Sequence, residues 1–272
     1  MVTFPSLGIN LKINKIAFSI LGIEIYWYAI FIVIAMILSL IILKIITKKE
    51  KIEYEDVINL FVYLIPISII SARLYYVVFQ YRDYINTPLE IFNIKSGGLA
   101  IYGGIIGGTI TTMVYCKIKR LNILQMLDII APCLALGQAI GRWGNFINIE
   151  AYGTETTSFF RMGIIENGIY KEVIPSFLYE SIADFIIFII LLIIGKKRQK
   201  PGERTFLYLT TYSFVRFFTE ETRIDSLMLN NIRISQMLSV IVFVVSCSIL
   251  TYLQLKGRKL TKNSRKWHTK NW

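Results

Sequence analysis

The chain has 272 residues, of which 54% are apolar, and a mean hydropathy of +0.55. Soluble domains are about 45–50% apolar, so this excess excludes a water-soluble globular protein and a disordered chain and indicates a multi-pass membrane protein. The net charge is +12, which lysine-rich and arginine-rich cytoplasmic loops explain without nucleic acid as a partner. His268 is the only histidine, which excludes a histidine-based metal site or a Ser-His-Asp triad in the membrane.

Seven apolar stretches follow one another along the chain. About 20 apolar residues are enough for a helix to cross a bilayer. The stretches cover residues 25–46, 57–79, 98–116, 122–147, 176–195, 204–219 and 234–255. The sequence therefore predicts an all-α integral membrane protein, a bundle of seven transmembrane helices within a membrane domain of residues 25–255.

Positive charges are unequally distributed between alternate connections. The connections at 47–56, 117–121 and 196–204, together with the C-terminal tail, hold more than twice the lysines and arginines of the other side. The positive-inside rule then places the N-terminus outside and the C-terminus in the cytoplasm. The parts outside the spans are an external N-terminal segment (1–24), a small external cap (about 148–174) and a basic cytoplasmic tail (256–272).

Charged residues inside the predicted spans gather at one depth. Ionisable groups are costly within a membrane, so each is a functional candidate. Arg73, Arg142 and Arg216 approach the outer ends of the second, fourth and sixth spans, and Glu180 lies near the outer end of the fifth. Guanidinium groups bind phosphate bidentately, so this cluster favours an anionic lipid head group. The alternative is a set of buried arginine–glutamate pairs that only join helices.

The sixth span carries a polar stripe. Tyr212, Arg216 and Glu220 are spaced four residues apart, and Arg223 follows. Residues at this spacing share one face of a helix, and that face should point into the bundle. The alternative is an intrahelical pair of Arg216 and Glu220 near the interface.

Glycines open the third span, from Gly97 to Gly108. Within this run, Gly103 and Gly104 each begin a GxxxG spacing, which allows close helix packing. The pair Gly97-Gly98 precedes the helix, so flexible backbone there could approach a lipid head group.

The densest polar stretch runs from Gly141 to Gly153. It holds Arg142, Asn145, Asn148 and Glu150 between glycines, a composition that favours neither a continuous helix nor a strand. We expect a helix end or re-entrant turn there, facing protein or a water-filled cavity.

The sequence resembles the prolipoprotein diacylglyceryl transferase family over nearly its whole length, from about Tyr26 to the last span. The most specific element is the family signature GRxGNFxNxExxG, present from Gly141 to Gly153. Supporting motifs in the same order are Trp27-Tyr28, Ala72-Arg73-Leu74, Gly97 to Gly108, Asp128 to Pro132, Pro175 to Glu180 and Tyr212 to Glu220.

The resemblance implies an enzyme of the bacterial plasma membrane. Such an enzyme moves a diacylglyceryl group from phosphatidylglycerol to the lipobox cysteine thiol of a prolipoprotein, forming a thioether and releasing glycerol phosphate. Its partners are phosphatidylglycerol, prolipoprotein signal peptides and membrane lipids. It uses no cofactor and no metal.

The resemblance also implies roles for individual residues. Arg142 is expected to bind the phosphate, and Arg216 to stabilise the leaving group. Glu150 and Glu220 would position these arginines or the glycerol hydroxyls. The remaining predicted substrate contacts are Asn145, Asn148, Tyr28, Gly103, Gly104, Gly153, Tyr212 and Arg73.

The chain departs from the family pattern at three positions. Tyr102 and Ile174 stand where many members have histidine, and Phe177 stands where glutamine is expected. Tyrosine can donate and accept a hydrogen bond but is a poor base at its usual pKa of about 10. Tyr102 is therefore kept as a catalytic candidate, and Glu150 is the candidate for the general base.

Two alternatives to the transferase remain open. A non-catalytic paralogue that binds phosphatidylglycerol or prolipoprotein would explain the missing histidines. An anionic-lipid transporter would also place arginines in a bundle, but its site would be expected near the midplane of the membrane.

Overall fold

The computed structural model describes residues 1–50, 52–93, 97–196, 200–224, 228–230 and 232–268, with the backbone alone at 229 and 257–268. The chain divides into two compact units. One unit comprises Leu43–Ile129, and the other combines Met1–Ile42 with the chain from Ile130 onward.

Each of the seven predicted apolar stretches forms an α-helix. The helices are α1 (Trp27–Thr47), α2 (Tyr54–Phe79), α3 (Ile101–Lys119), α4 (Ile123–Asn148), α5 (Ser176–Ile194), α6 (Glu203–Thr222) and α7 (Ile234–His268). Among the described residues, five are long and apolar enough to cross a membrane: α1, α2, α4, α5 and the first part of α7. The glycines and threonines of α3 and the charges of α6 dilute their apolar character, so the protein is mostly helical with five clear candidate spans.

In the unit of residues 43–129, α2 packs closely against α3 through glycine. Gly103 and Gly107 are buried, and a Cβ on either would overlap α2, at Ser71 or Tyr75. Close approach through small residues of this kind lets neighbouring membrane helices pack their backbones together. The packing interpretation of the GxxxG spacing is therefore confirmed for these two glycines.

We expect Gly103→Ala to lower the unfolding free energy by about 1–3 kcal/mol, because the new methyl group overpacks the α2–α3 interface. Gly104→Ala is the matched control, since its Cβ would meet the Ser68 carbonyl oxygen at 3.6 Å and the Ala72 Cβ at 3.8 Å, ordinary contacts. Thermal unfolding of the two variants in detergent measures the difference. Equal midpoints would contradict the packing account.

In the other unit, α4, α5 and α6 share an apolar core. Its buried members include Ala135 of α4, Leu191 of α5 and Tyr208 of α6. The Tyr208 hydroxyl donates a hydrogen bond of 2.8 Å to Gln138 Oε1 on α4, which satisfies the buried hydroxyl. Ser181 of α5 donates to the Ala139 carbonyl at 2.8 Å and accepts from Trp143 Nε1 at 3.1 Å. These contacts fix α5 beside the C-terminal half of α4.

The same unit contains β-structure that the all-α prediction left out. The strands among the described residues are β1 (Val2–Phe4), β2 (Ile9–Leu11), β3 (Ile16–Ile20), β4 (Ile23–Tyr26), β5 (Met162–Glu166), β6 (Ile169–Val173), β7 (Met228–Leu229) and β8 (Ile232–Arg233). An antiparallel sheet has the order β2-β1-β5-β6, with Val2 opposite Ile164. It joins the predicted N-terminal and cap segments. The strands are short, and β1 pairs with a segment far along the chain, so local periodicity does not reveal them.

One edge of the sheet carries a polar network. Lys171 Nζ lies 2.8 Å from Glu166 Oε2, and the Tyr152 hydroxyl donates to Glu166 Oε1. The hydrogen bond from Lys171 lowers the pKa of the Glu166 carboxyl from its usual 4.5 and raises the pKa of Lys171 from its usual 10.5. The ionised pair therefore supports the β5–β6 hairpin at neutral pH.

Because the folded-state pKa of Glu166 is lowered, its contribution is complete above pH 4.5 and is lost as the pH falls through the lowered value. We expect the amides of Met162–Val173 to lose protection against hydrogen exchange as the pH falls below the lowered pKa of Glu166. The rates are first corrected for the pH dependence of intrinsic amide exchange. Glu166→Gln is the control, and it should remove this pH dependence. The same acid-induced loss in the variant would contradict the assignment to Glu166.

Candidate active site

The C-terminal end of α4 presents the first group of predicted site residues. Arg142, Asn145 and Asn148 are spaced three residues apart, and i,i+3 neighbours lie side by side on a helix. Arg142 Nη1 donates to Asn145 Oδ1 at 3.4 Å. The predicted helix end in this stretch is confirmed, since α4 continues through the arginine and both asparagines and ends at Asn148.

A tight turn after α4 returns Glu150 to the helix. Ile149 and Ala151 both adopt a left-handed backbone with φ of +55°, which is costly for residues other than glycine or asparagine. The Glu150 amide donates to the Asn145 carbonyl at 3.0 Å. Glu150 Oε1 accepts hydrogen bonds from Asn145 Nδ2 at 2.9 Å and Asn148 Nδ2 at 3.2 Å. The turn thus fixes one carboxylate oxygen at the end of the helix.

Glu180 of α5 is the centre of an arginine cluster. Its side chain is 4% exposed and forms an ion pair with Arg142 of α4. Arg216 of α6 lies 3.3 Å from Glu180 Oε2, and Arg223, directly after α6, lies 3.4 Å from Oε1. A buried carboxylate shared by three guanidinium groups orients them toward one point and partly offsets their charge.

The polar stripe of α6 faces this cluster. Arg216 pairs with Glu220 on its own helix as well as with Glu180 of α5. Both sequence interpretations therefore hold together, because the intrahelical pair exists and the stripe points into the unit. Arg233 of β8 donates to the backbone carbonyl of Glu220, which ties the segment after α6 to the cluster.

Asp184 and Tyr212 lie next to the arginines, each one helical turn along its helix from Glu180 or Arg216. Asp184 is 2% exposed and interacts electrostatically with Arg142 and Arg216. Its Oδ1 has no hydrogen-bond partner within the part of the chain that the structure describes. Tyr212 also interacts with Arg142 and Arg216. Asp184 and Tyr212 therefore both contribute to the environment of the two arginines.

Tyr28 of α1 closes the site from another side. Its ring lies directly against Gly144 of α4, where any Cβ would overlap the ring carbons. The Tyr28 hydroxyl interacts electrostatically with Glu150 and Arg142. The family signature thus needs glycine at 144 so that a tyrosine can reach the arginine and the carboxylate.

Gly153 has a packing role in the structure. Its amide donates to the Ile174 carbonyl at 2.9 Å, and it forms a β-bridge with Arg223. A Cβ at this position would lie 2.8 Å from Ser176 Oγ and 3.0 Å from the Thr222 carbonyl. The glycine allows the turn after α4 to pass between the start of α5 and the end of α6. Its predicted contact with substrate stays a prediction.

Four of the predicted site residues belong to the unit of residues 43–129. Arg73 is 5% exposed and donates to the carbonyls of Ile91 (2.9 Å), Glu90 (2.6 Å), Gly97 (2.8 Å) and Gly98 (3.1 Å). Gly97 and Gly98 have φ of +87° and +71°, and these conformations turn their carbonyls to the guanidinium. Arg73 therefore holds the segment between α2 and α3.

The other three of these residues open α3. Gly103 is buried against α2, Gly104 also faces α2, and Tyr102 is partly buried in the first turn. Helix packing requires glycine at 103, whereas a Cβ at 104 would make only ordinary contacts with α2. The substrate roles of Tyr102, Gly103, Gly104 and Arg73 stay predictions.

Three residues of the cluster, Glu180, Asp184 and Arg223, were absent from the predicted site set. Glu180 was recognised only as a charge within a span, and Arg223 only as a continuation of the α6 stripe. The sequence did mark Glu180, because a carboxylate at the predicted depth of the arginines is costly unless it is paired. Their pairing depends on the packing of α5 against α6, which single-sequence periodicity does not give.

Two of the departures from the family pattern, Phe177 and Ile174, have packing and backbone roles in the structure. Phe177 stacks on Phe146 with ring centroids 4.5 Å apart. The Ile174 amide donates to the Thr154 carbonyl at 3.0 Å, and its side chain lies against Gly153. The structure therefore places packing groups where the resemblance led us to expect histidine and glutamine.

The fold and the site define a class of protein. Apolar helices carry a cluster of partly buried arginines and buried carboxylates, with two asparagines and a glutamate at its edge. Arginine forks suit phosphate, and such a site among apolar helices suits an anionic lipid.

Comparison with known proteins agrees with this class. The family model for prolipoprotein diacylglyceryl transferase matches residues 15–252, and the chain belongs to that family. A relative in Finegoldia magna named phosphatidylglycerol–prolipoprotein diacylglyceryl transferase is 44% identical, covering 90% of this chain and 96% of the relative. Relatives with the same name in Clostridioides difficile and Listeria monocytogenes serotype 4a are 43% and 42% identical, covering 90% of this chain and 97% and 91% of the respective relatives.

Proposed function

We propose that the protein transfers the diacylglyceryl group of phosphatidylglycerol to the lipobox cysteine of prolipoproteins. The observation that carries this proposal is Arg142, which is held by Glu180 on one side and by Asn145 on the other, beside Glu150. Family membership and the relatives' names support the same reaction.

The phosphate of the donor fits the arginine cluster. Arg142 has five N–H donors, so its contacts to Glu180 and Asn145 leave capacity for a phosphate oxygen. As the carbon–oxygen bond breaks, the leaving glycerol phosphate gains negative charge. Arg142 and Arg216 stabilise that charge more in the transition state than in the ground state. Glu180 keeps both groups aligned before substrate arrives.

The acceptor thiol must lose its proton as sulfur attacks the glyceryl carbon. Both asparagine amides converge on Glu150 Oε1, and no hydrogen bond to Oε2 occurs among the described residues. The thiol proton passes to Glu150 Oε2 as the sulfur–carbon bond forms. The phosphoester oxygen on the attacked carbon departs with the bonding electron pair as part of glycerol phosphate. Tyr28, next to Glu150, orients the head group.

The membrane arrangement that suits this reaction has seven spans, with α3 and α6 crossing the membrane in addition to the five clear candidates. The N-terminus and the sheet of β1, β2, β5 and β6 lie outside as a cap, the basic tail lies in the cytoplasm, and the membrane is the bacterial plasma membrane. The positive-inside distribution supports this orientation. It opens the end of α4 toward the leaflet from which a secreted prolipoprotein presents its cysteine.

Release of glycerol phosphate tests the proposal. The purified protein is mixed with phosphatidylglycerol and a lipobox peptide, with a peptide carrying serine for cysteine as the control. We expect release only with the cysteine peptide, strongly lowered by Glu150→Gln, and Tyr102→Phe tests the predicted role of the Tyr102 hydroxyl. No release by well-folded protein that still binds phosphatidylglycerol saturably would support the non-catalytic alternative.

A further inference from the structure

The segment between the four-stranded sheet and α1 is a β-hairpin with one apolar face. Strand β3 pairs with β4, with Ile20 opposite Ile23 and Phe18 opposite Ile25. Residues directly opposite each other in an antiparallel pair lie on the same face, so these four side chains share one surface. Phe18, Ile20 and Ile23 are 49%, 56% and 66% exposed.

The opposite face of this hairpin is polar. Ser19 lies opposite Glu24, and the Tyr26 hydroxyl donates to Glu24 Oε2 at 2.9 Å. An exposed apolar face backed by a polar face is the pattern of a segment that lies at the boundary between water and hydrocarbon.

The turn of the hairpin points to the same environment. Leu21 and Gly22 form a two-residue loop with φ of +50° and +80°, the signs that a type I′ turn requires. Asparagine or aspartate is preferred at the first position, yet leucine stands there, 98% exposed. The β5–β6 hairpin uses Asn167-Gly168 with φ of +52° and +80°. The first turn position is therefore the preferred asparagine in the β5–β6 hairpin but leucine in the β3–β4 hairpin.

The attachment of the hairpin places it at a membrane surface. Strand β4 runs directly into α1 at Trp27, whose amide donates to the Lys15 carbonyl at 3.0 Å and closes the hairpin base. Helix α1 is long and apolar enough to span a membrane, and Tyr26-Trp27 are the aromatic residues typical of its interface. Four residues of β4 extend about 13 Å, so the tip stays close to that interface.

We propose that the β3–β4 hairpin is a monotopic membrane anchor that inserts Leu21 and the face of Phe18, Ile20 and Ile23 among the lipids at the end of α1. The occupant of this surface is bilayer lipid. The anchor fixes the four-stranded sheet, which is covalently joined to β3 through residues 12–15, at a set height above the membrane. This inference is independent of the transfer reaction.

Spin-label depth measurements on the full chain in phosphatidylglycerol-containing vesicles test the proposal. Nitroxide labels are attached at Leu21→Cys and Ile23→Cys in a Cys247→Ser background, since Cys116 and Cys133 are buried. Asn167→Cys, at the tip of the matching polar hairpin, is the control. Ser19→Cys reports the polar face of the same hairpin.

At positions 21 and 23 we expect collisions with oxygen to exceed collisions with a water-soluble nickel chelate several-fold, with the reverse at 167 and a lower oxygen-to-nickel ratio at 19. Nickel-dominated collisions at both 21 and 23 would overturn the proposal. Protection from both agents would also overturn it, because the face would then be covered by protein. Monodisperse elution shows that a variant is folded. If Leu21→Cys does not elute in this way, the test rests on Ile23→Cys.

Discussion

Arg142→Ala is expected to lower diacylglyceryl transfer by at least about 100-fold, the usual cost of removing a donor that stabilises developing negative charge. Arg142 joins the Glu180 cluster to the Asn145–Glu150 turn, so its loss removes the phosphate contact and the link between the two groups. The measurement is the initial rate of peptide modification at saturating phosphatidylglycerol, with protein folding checked by elution from a sizing column.

Two further variants sharpen this test. Arg142→Lys keeps the charge but loses the planar fork, so we expect intermediate activity. Arg161→Ala is the matched control, because Arg161 forms a partly exposed pair with Glu172 at 2.5 Å in the sheet and should leave the rate within about twofold, as for surface pairs. Near-normal transfer by folded Arg142→Ala would remove this residue from the chemistry.

Glu180→Gln is expected to lower the unfolding free energy by about 3–5 kcal/mol, the cost of breaking a buried ion pair by removing one partner. Three guanidinium groups, those of Arg142, Arg216 and Arg223, lose their shared carboxylate. Thermal unfolding in detergent gives the size of the effect. Because a phosphate supplies the missing negative charge, added phosphatidylglycerol should raise the midpoint of the variant more than that of the wild type.

The control for this second prediction is Glu172→Gln, which removes a carboxylate from the partly exposed pair with Arg161. We expect a cost below about 1 kcal/mol there. If Glu180→Gln unfolded at the wild-type temperature, the carboxylate would not be the centre of the cluster, and the arginines would need another partner.

The sequence predicted the long elements well because apolar runs of helix length leave few alternatives. The stretch at 176–195 became α5 (Ser176–Ile194), and the stretch at 57–79 became α2 (Tyr54–Phe79). The prediction was less complete for α7, since the stretch at 234–255 is part of a helix that continues through His268. Polar, basic sequence after an apolar helix gives no sign of where the helix ends.

Contacts between segments far apart in the chain could not be predicted from the sequence. The pairing of β1 with β5 joins Val2 to Ile164, and nothing local marks that register. Arg73 was predicted to contact substrate from its depth and from the family pattern, and this contact stays a prediction. The sequence did not show that the positive φ of Gly97 and Gly98 turns their carbonyls onto its guanidinium. The family signature identified Arg142, Asn145, Asn148 and Glu150 as a set, and only the packing of α5 and α6 added Glu180 and Arg223.

The mass of a lipobox peptide after incubation with the purified protein and phosphatidylglycerol tests the central claim most directly. A gain of one diacylglyceryl group on the cysteine, absent with Arg142→Ala, is the predicted result, and it would show that transfer proceeds in a chain whose only histidine lies at position 268. An unchanged peptide mass with folded, lipid-binding protein would contradict the account.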